Sequence, residues 1–250
     1  MTGLLSGKTA VITGAGSPGG IGRATARLFA AEGAVCAITD IDRAGLDEAV
    51  MEMGSPHSSY VCDVADAAAV RNTVATITAD LGRIDILVNN AGIVMGTPFP
   101  DITEDEFDSV LGVNLKGNFL MSQACLPAMR TSGGAIVCIA SIAGQNGGGV
   151  FGRSHYAAAK AGIMGLAKAL GRELAPLGIR ANAIAAGPVD NNFTGGRMTP
   201  EIKADLAAKV PLGRLGTSDD IANACLFLAS DMSSFVTGSV LDVNGGLHIH

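Results

Sequence analysis

A β-rich run at residues 8–13 (KTAVIT) leads directly into Gly14-Ala15-Gly16-Ser17-Pro18-Gly19-Gly20-Ile21-Gly22. An alanine-rich helical pattern follows to Glu32, with Gly33 as its stop. This order of strand, glycine turn and helix constrains the fold more than any other stretch. Glycines let a backbone approach a pyrophosphate closely, and a helix N-terminus offers free N–H groups and partial positive charge. A glycine-rich turn alone is often only a turn, and the strand and helix on either side give it meaning.

The alternation continues. Residues 34–39 (AVCAIT) read as a second strand ending in Asp40, and residues 43–53 as a helix. Residues 59–62 form a third strand that runs into Asp63-Val64, and the helix after it closes near Gly82. Residues 84–88 make a fourth strand before Asn89-Asn90-Ala91-Gly92. An acidic first turn at residues 103–108 opens a helix that carries Asn114. Residues 135–140 form a fifth strand with Ser141 at its end, and the polar, glycine-rich loop 144–153 leads into a helix reaching about Ala175. Residues 179–185 are a sixth strand. Gly187-Pro188-Val189 then opens a polar stretch, 190–199, of the kind that forms a lid. A helix at 218–229 and a strand at 239–243 complete the pattern. No composition break interrupts it. The expected fold is α/β: one domain over 1–250, with a doubly wound, mostly parallel seven-stranded sheet.

Composition agrees. Of 250 residues, 48% are hydrophobic and 16% charged, as expected of strands covered on both faces. The net charge of −6 has no basic block, which argues against a nucleic-acid partner. Cys36, Cys62, Cys125, Cys138 and Cys225 show no metal-ligand spacing and read as buried thiols in a reducing compartment. His248-Ile249-His250 is too little for a metal site. With no leader pattern and no apolar run of membrane-spanning length, a soluble cytoplasmic protein without a membrane partner is expected.

Tyr156 and Lys160 are four apart on a helix and therefore share a face. A fixed positive charge lowers the pKa of a neighbouring phenol and makes it a usable acid–base group. A half-buried tyrosine beside a solvated lysine is the plainer alternative. In an open parallel sheet, ligands bind outside the carboxyl ends of the strands. The glycine turn, Asp40, Asp63, Asn90 and Ser141 all fall at such ends and would face one crevice. At the end of the second strand, the Asp40 carboxylate can accept from both hydroxyls of an adenosine ribose and would repel a 2′-phosphate, which favours NAD over NADP. Asp40 could instead be the N-cap of the next helix. The paired asparagines could tie strands together or line a ligand.

Taken together, TGAGSPGGIG, Asp40, CDV at 62–64, NNAG at 89–92, Asn114, Ser141, YAAAK at 156–160 and AGPV at 186–189 resemble the short-chain dehydrogenase/reductase family over essentially the whole chain. The resemblance implies an NAD-dependent oxidoreductase with Asn114, Ser141, Tyr156 and Lys160 as its catalytic set. Tyr156 would exchange the proton and Lys160 would lower its pKa and bind the nicotinamide ribose. Ser141 would position the substrate oxygen, and Asn114 would hold a water. Gly14, Ser17, Gly20, Ile21, Gly22, Asp40, Asp63, Val64, Asn90, Gly92, Gly187 and Val189 would contact the cofactor with Tyr156 and Lys160. Asp63-Val64 would flank the adenine, Asn90 would lie along the adenosine ribose, and Val189 would meet the carboxamide through its backbone. The family is commonly homotetrameric, through the helices carrying Asn114 and Tyr156 and the last strand.

The chain departs from the family pattern in three places. Two extra residues lie between Gly14 and Gly20, so the functional glycines register as Gly14, Gly20 and Gly22 and not as Gly14, Gly16 and Gly19. The interval from Ser141 to Tyr156 is also longer, and Gly147-Gly148-Gly149 should bulge over the substrate site. Asp190-Asn191 replace a pair whose second residue is usually a hydroxyl-bearing threonine, leaving Thr194 to supply one. Gln145, Asn146, His155, Asp190 and Asn191 are candidate polar pocket residues, with Val94, Met95, Val150 and Phe193 as the apolar part, and a segment at about 189–210 as the substrate loop.

These features favour a secondary alcohol or ketone substrate, with a lean towards a polyol or hydroxyacid. A 3-oxoacyl thioester (acyl-carrier-protein) reductase is the alternative, with Arg130 and Arg172 as docking cations or as a solvated face. A non-catalytic dinucleotide-binding regulator is the alternative of another class.

Overall fold

Seven apolar runs pair, all parallel, into one sheet of order β3-β2-β1-β4-β5-β6-β7. The structure is a computed structural model and describes residues 3–149 and 151–249. The strands are β1 (Thr9–Thr13), β2 (Val35–Asp40), β3 (Ser58–Val61), β4 (Ile86–Asn89), β5 (Gly134–Ile139), β6 (Ile179–Ala186) and β7 (Val240–Val243). The helices are α1 (Ile21–Ala31), α2 (Arg43–Met53), α3 (Ala67–Leu81), α4 (Glu104–Leu111), α5 (Gly117–Met129), the single turn α6 (Ala143–Asn146), α7 (Ser154–Glu173), α8 (Pro200–Lys209) and α9 (Ser218–Ala229). The order reverses between β1 and β4, and there the crevice opens at the carboxyl edge.

Residues alternate between the two faces of each strand, and both faces are buried. In β1, Ala10 and Ile12 join Phe29 of α1, Leu46 of α2 and Ile221 and Leu228 of α9. Val11 faces the other way and joins Ile77 of α3, Met121 and Met129 of α5 and Ile163 of α7. All five cysteines are free and buried within these layers. No helix among the described residues is long and apolar enough to cross a membrane.

Three local features differ from the sequence reading. Asn114 lies in a π-helical turn, Gly112–Lys116, between α4 and α5. Its side-chain amide donates to the carbonyls of Val110 and Ile93, at 2.9 Å each. The Asn114 carbonyl in turn accepts from the Asn118 side chain at 2.6 Å, so side-chain amides take over part of the local hydrogen bonding. The loop after Ser141 begins with the α6 turn. The lid stretch is also more ordered than its composition implies: Asn191 caps a short 3₁₀ turn, Asn192–Thr194, and Thr199 caps α8.

Candidate active site

Gly14 turns the chain out of β1 with φ +67°, and a Cβ there would stand 2.7 Å from the Ala91 Cα. Only glycine meets both demands. Helix α1 starts behind Gly20, and no side chain caps its first turn, so its leading N–H groups face the crevice. Gly14, Ser17, Gly20 and Ile21 line a cavity of about 490 Å³. Gly22 is buried behind them, where a Cβ would lie 2.4 Å from the Gly14 carbonyl oxygen; it lets helix and turn approach closely. The two residues lengthening the turn are accommodated from outside: the Ser218 hydroxyl donates to the Gly19 carbonyl at 2.7 Å.

Asp40 lines the same cavity. It is not the cap of α2; Asp42 caps that helix, accepting from the Ala44 N–H. The Asp40 carboxylate accepts from the Gly16 N–H at 2.9 Å and the Asp42 N–H at 3.1 Å, which fixes its direction. The Gly16 carbonyl is held by buried Arg23 at 3.4 Å, and Arg23 pairs with Glu52 at 2.8 Å and Glu48 at 3.6 Å. Arg43 pairs with Asp47 at 3.7 Å. Both arginines near Asp40 therefore have carboxylate partners.

Asn90 lines the cavity and also ties β4 to β1, since its amide nitrogen donates to the Thr13 and Gly14 carbonyls at 2.9 Å each. Its neighbour Asn89 turns into the core and donates to Ser122. Asp63 and Val64 sit at the carboxyl end of β3 but do not line the cavity. Asp63 is exposed and accepts from the Ala65 N–H, whereas Val64 is buried against Gly117. Gly92, Gly187 and Val189 do line it. A Cβ on Gly187 would meet the Asn244 Cα at 2.7 Å, and one on Gly92 would meet the Asn114 side-chain oxygen at 2.7 Å.

Ser141 and Tyr156 come together on one wall of the cavity where β5 and α7 meet, with the Ser141 hydroxyl close enough to the phenol to oppose the rise in its pKa. The same hydroxyl accepts from the Ala143 N–H at 3.1 Å, which orients it. Lys160 is buried, with its ammonium donating to the Ile139 carbonyl at 2.7 Å and lying 5.5 Å from the centre of the Tyr156 ring. The side-chain oxygen of Asn114 is buried without a partner, and a Cβ on Gly92 would stand 2.7 Å from it and 3.7 Å from the Lys160 ammonium.

In the cofactor-free chain, burial and not Lys160 dominates the environment of the Tyr156 phenol. Burial pushes the phenol up to about 12, and the Ser141 hydroxyl works against that rise. Burial also brings Lys160 down to about 8, while the nearby Cys138 thiol acts in the opposite sense. The ammonium faces the ring and the Ile139 carbonyl, so its field at the phenol oxygen does not outweigh desolvation.

The expected polar pocket residues separate. Asn146 and Asn191 line the cavity. Gln145 turns away and donates to Asp242 of β7 at 2.8 Å. Buried His155 pairs with Glu106 at 3.0 Å, and Asp190 pairs with Lys203 of α8 at 2.6 Å. None of these three reaches the crevice wall. Val94 and Phe193 do, while Met95 packs beside Val110 and Ala143. Val150 and His250 lie outside the described residues. Gly148 and Gly149 border the cavity as expected of the lengthened loop. Thr194 is buried there with an unpartnered hydroxyl.

Sequence reasoning missed Phe151, Met198, Leu206 and Leu247 on the cavity wall, and the latch made by Arg197. That arginine donates to the Thr194 carbonyl at 2.7 Å and the Val94 carbonyl at 3.1 Å, and its guanidinium lies over the Phe151 ring. Its only sequence signal is a cation within a glycine-rich stretch.

The fold and this crevice define a dinucleotide-binding α/β oxidoreductase, and comparison with known proteins agrees. Residues 14–248 match the family profile described as enoyl-(acyl carrier protein) reductase. The chain is 46% identical to an uncharacterized short-chain type dehydrogenase/reductase, y4mP, of Sinorhizobium fredii, over 99% of this chain and 100% of that one. It is 41% identical to the 3-oxoacyl-acyl-carrier-protein reductase FabG of Thermotoga maritima, over 98% and 99% of the two chains. A crystal structure of a candidate short-chain alcohol dehydrogenase from Sinorhizobium meliloti superposes with a TM-score of 0.90, at 34% identity and 97% coverage of both chains. The chain belongs to the short-chain dehydrogenase/reductase family, whose cofactor is a nicotinamide dinucleotide.

Proposed function

We propose that this chain interconverts a secondary alcohol and a ketone with NAD(H), and that Tyr156 is its acid–base group. One observation carries the reading: a buried phenol, with the Ser141 hydroxyl beside it, opens into the same cavity as the glycine turn. The residues present suit a dinucleotide. The first turn of α1 is uncapped, Gly14 and Gly22 leave room that a Cβ would fill, and the Asn114 oxygen is unpartnered beside Lys160. Gly14, Ser17, Gly20 and Ile21 would take the pyrophosphate, Asp40 and Asn90 the adenosine ribose, Lys160 the other ribose, and Gly92, Gly187 and Val189 the nicotinamide end. Asp63 and Val64 would flank the adenine from the end of β3, and Gly22 would act from behind the glycine turn.

A bound nicotinamide supplies or accepts the hydride. In the reductive direction Ser141 donates to the substrate carbonyl oxygen and holds it against Tyr156. The phenol, protonated at neutral pH in the cofactor-free chain, gives its proton to that oxygen as the carbonyl carbon is reduced. Acid–base help of this kind contributes about 10²–10⁴-fold. Lys160 then stands behind Tyr156, and Asn114 would hold a water that joins Lys160 to solvent. The segment 189–210 would close over the substrate.

NAD is favoured over NADP because Asp40 presents a carboxylate to the crevice while Arg23 and Arg43 are both paired with carboxylates. A 2′-phosphate would meet a like charge with no available cation. Initial rates with NADH and NADPH on a panel of ketones test the reading. A tenfold or greater preference for the phosphorylated cofactor would overturn the assignment of Asp40.

A 3-oxoacyl thioester reductase is the second reading, supported by the 41% identity to FabG. Arg130 and Arg172 are both exposed, as docking cations must be. Retention of Ser141, Tyr156 and Lys160 in one cluster argues against a non-catalytic regulator. We also place the chain in a homotetramer in the cytoplasm. Ala161 and Gly165 of α7 are exposed, a Cβ on Gly165 would meet nothing within 4 Å, and Phe107 and Phe119 are exposed on α4 and α5.

A further inference from the structure

We infer that the substrate is uncharged and carries an apolar chain beside its reacting carbon, seated between the lid and the loop before α7. The inference rests on the alcohol–ketone reading above and narrows it. Val94, Phe151, Phe193, Met198, Leu206 and Leu247 line the cavity that also holds Tyr156 and Ser141. Phe193 lies 6.5 Å from the Tyr156 ring, centre to centre, so this apolar wall starts at the reacting group. Helix α8, which brings Leu206, has no buried residue of its own, and its apolar side chain is therefore left facing the crevice.

The charges point the same way. Among the described residues lining the cavity, only Asp40 and Lys160 are charged. Asp40 lies at the end of β2, where its carboxylate is held by the glycine turn, and Lys160 is buried on the Ile139 carbonyl. A substrate carboxylate or phosphate inside the slot would be desolvated without a counter-ion. A polyol fares little better. Gln145, His155 and Asp190, the polar groups that would have met its hydroxyls, are paired elsewhere. Asn146, Asn191 and Thr194 remain, and Asn191 is already bonded to the Phe193 N–H and the Ser218 hydroxyl, which leaves enough for one or two hydrogen bonds. Arg197 lies over the outer Phe151 ring and fastens the lid to the Val94 carbonyl. Its guanidinium is thus spent on the lid and does not line the cavity.

In the oxidative assay the alcohol loses its carbinol hydride to NAD⁺ and its hydroxyl proton through Tyr156, giving ketone, NADH and a proton. The purified full chain is supplied with NAD⁺ and butan-2-ol, hexan-2-ol, octan-2-ol, butane-2,3-diol or 3-hydroxybutyrate. A parallel arm runs NADH with the matching ketones and with acetoacetyl-coenzyme A. The expected result is kcat/KM rising about fourfold per methylene from butan-2-ol to octan-2-ol, the transfer value of one buried CH₂. The diol and the hydroxyacid should fall below butan-2-ol. Leu206→Ser should lower octan-2-ol turnover more than butan-2-ol turnover and so flatten the series. A flat or falling series, or turnover highest with the diol, the hydroxyacid or the thioester, overturns the apolar-chain inference and leaves the acid–base assignment standing. No turnover of any compound in either direction overturns the assignment itself, and the inference with it.

Discussion

The Lys160 ammonium lies 5.5 Å from the centre of the Tyr156 ring and donates to the Ile139 carbonyl, not to the phenol. Two groups that a helical spacing puts on one face are thus neighbours through the ring, and both are out of water. Each is driven towards its neutral form: the phenol up to about 12 and the ammonium down to about 8. Four predictions follow from this pair and from the crevice around it.

Lys160→Met should make the cofactor-free protein more stable at pH 7 and leave it without activity. The native state releases the Lys160 proton near pH 8, whereas the unfolded chain holds it to about 10.5. Between those values the unfolded state binds more protons, so stability rises with pH; below pH 8 the full cost of burying the charge is present. That cost is on the order of 3 kcal/mol, and the Ile139 carbonyl left without its donor returns about 1 kcal/mol of it. Thermal unfolding from pH 7 to 10.5 should show the variant's advantage shrinking through zero and ending as a deficit of about 1 kcal/mol, the carbonyl's share. A constant difference across that range would contradict the burial of a charged lysine.

Tyr156 should titrate above an ordinary tyrosine in the cofactor-free chain, towards 12. The native state keeps the proton that the unfolded chain releases near pH 10, so this group's stabilisation is lost as pH rises from 10 to 12. The chain has two tyrosines, so an alkaline difference spectrum of the wild type against Tyr156→Phe isolates the signal. Adding NAD⁺, with its cationic ring, should bring that titration down. No movement on saturation with NAD⁺ would separate the phenol from the nicotinamide. The same variant should lose about 10²–10⁴-fold in turnover and still bind NADH.

Asp40→Ala should cut kcat/KM with NAD⁺ by about 10- to 100-fold, the range for hydrogen bonds to a charged group. The value with NADP⁺ should change little or rise. Glu52→Gln should move the NADP⁺ to NAD⁺ ratio the same way by a smaller factor, because it weakens the ion pair that holds Arg23. Equal losses with both cofactors would assign Asp40 a purely architectural role on the Gly16 N–H.

Gly14→Ala should abolish tight NADH binding and lower stability by about 1–3 kcal/mol. The position combines a left-handed φ with an Ala91 Cα only 2.7 Å from an added Cβ. Gly19→Ala, also at φ +67° but with nothing within 4 Å, should cost only the backbone strain and keep binding within a few-fold. NADH fluorescence titration and thermal unfolding of both variants measure the contrast. Equal losses in the two would mean that strain, not the close approach at Gly14, governs the turn.

Much of this architecture was legible in the residues taken in order. Strand positions and their parallel arrangement follow from local signals: apolar runs, glycines and the period of a helix. The register of Gly14, Gly20 and Gly22 is what the family resemblance implies. Such signals rest on neighbours within a few residues, and a chain states them directly. Ser141, Tyr156 and Lys160 could be singled out for the same reason, since each sits at a strand end or at a helical spacing. The π-helical turn at Asn114, the cap at Asp42 and helix α8 were not legible. Each depends on a partner chosen among several chemically equal ones.

Which polar groups face the crevice was decided only in three dimensions. Gln145 finds Asp242, His155 finds Glu106 and Asp190 finds Lys203, and each pairing takes a hydrophilic side chain out of a pocket its sequence neighbourhood suggested. The burial that moves Tyr156 and Lys160 towards their neutral forms in the cofactor-free chain arises there too. Spacing alone reports that a charge is near a phenol, whereas desolvation depends on the whole shell of atoms around both. Composition and periodicity thus determine that a parallel sheet forms and where its ligand-facing edge lies. Burial and long-range pairing, which sum over residues far apart in the chain, determine the chemistry of that edge.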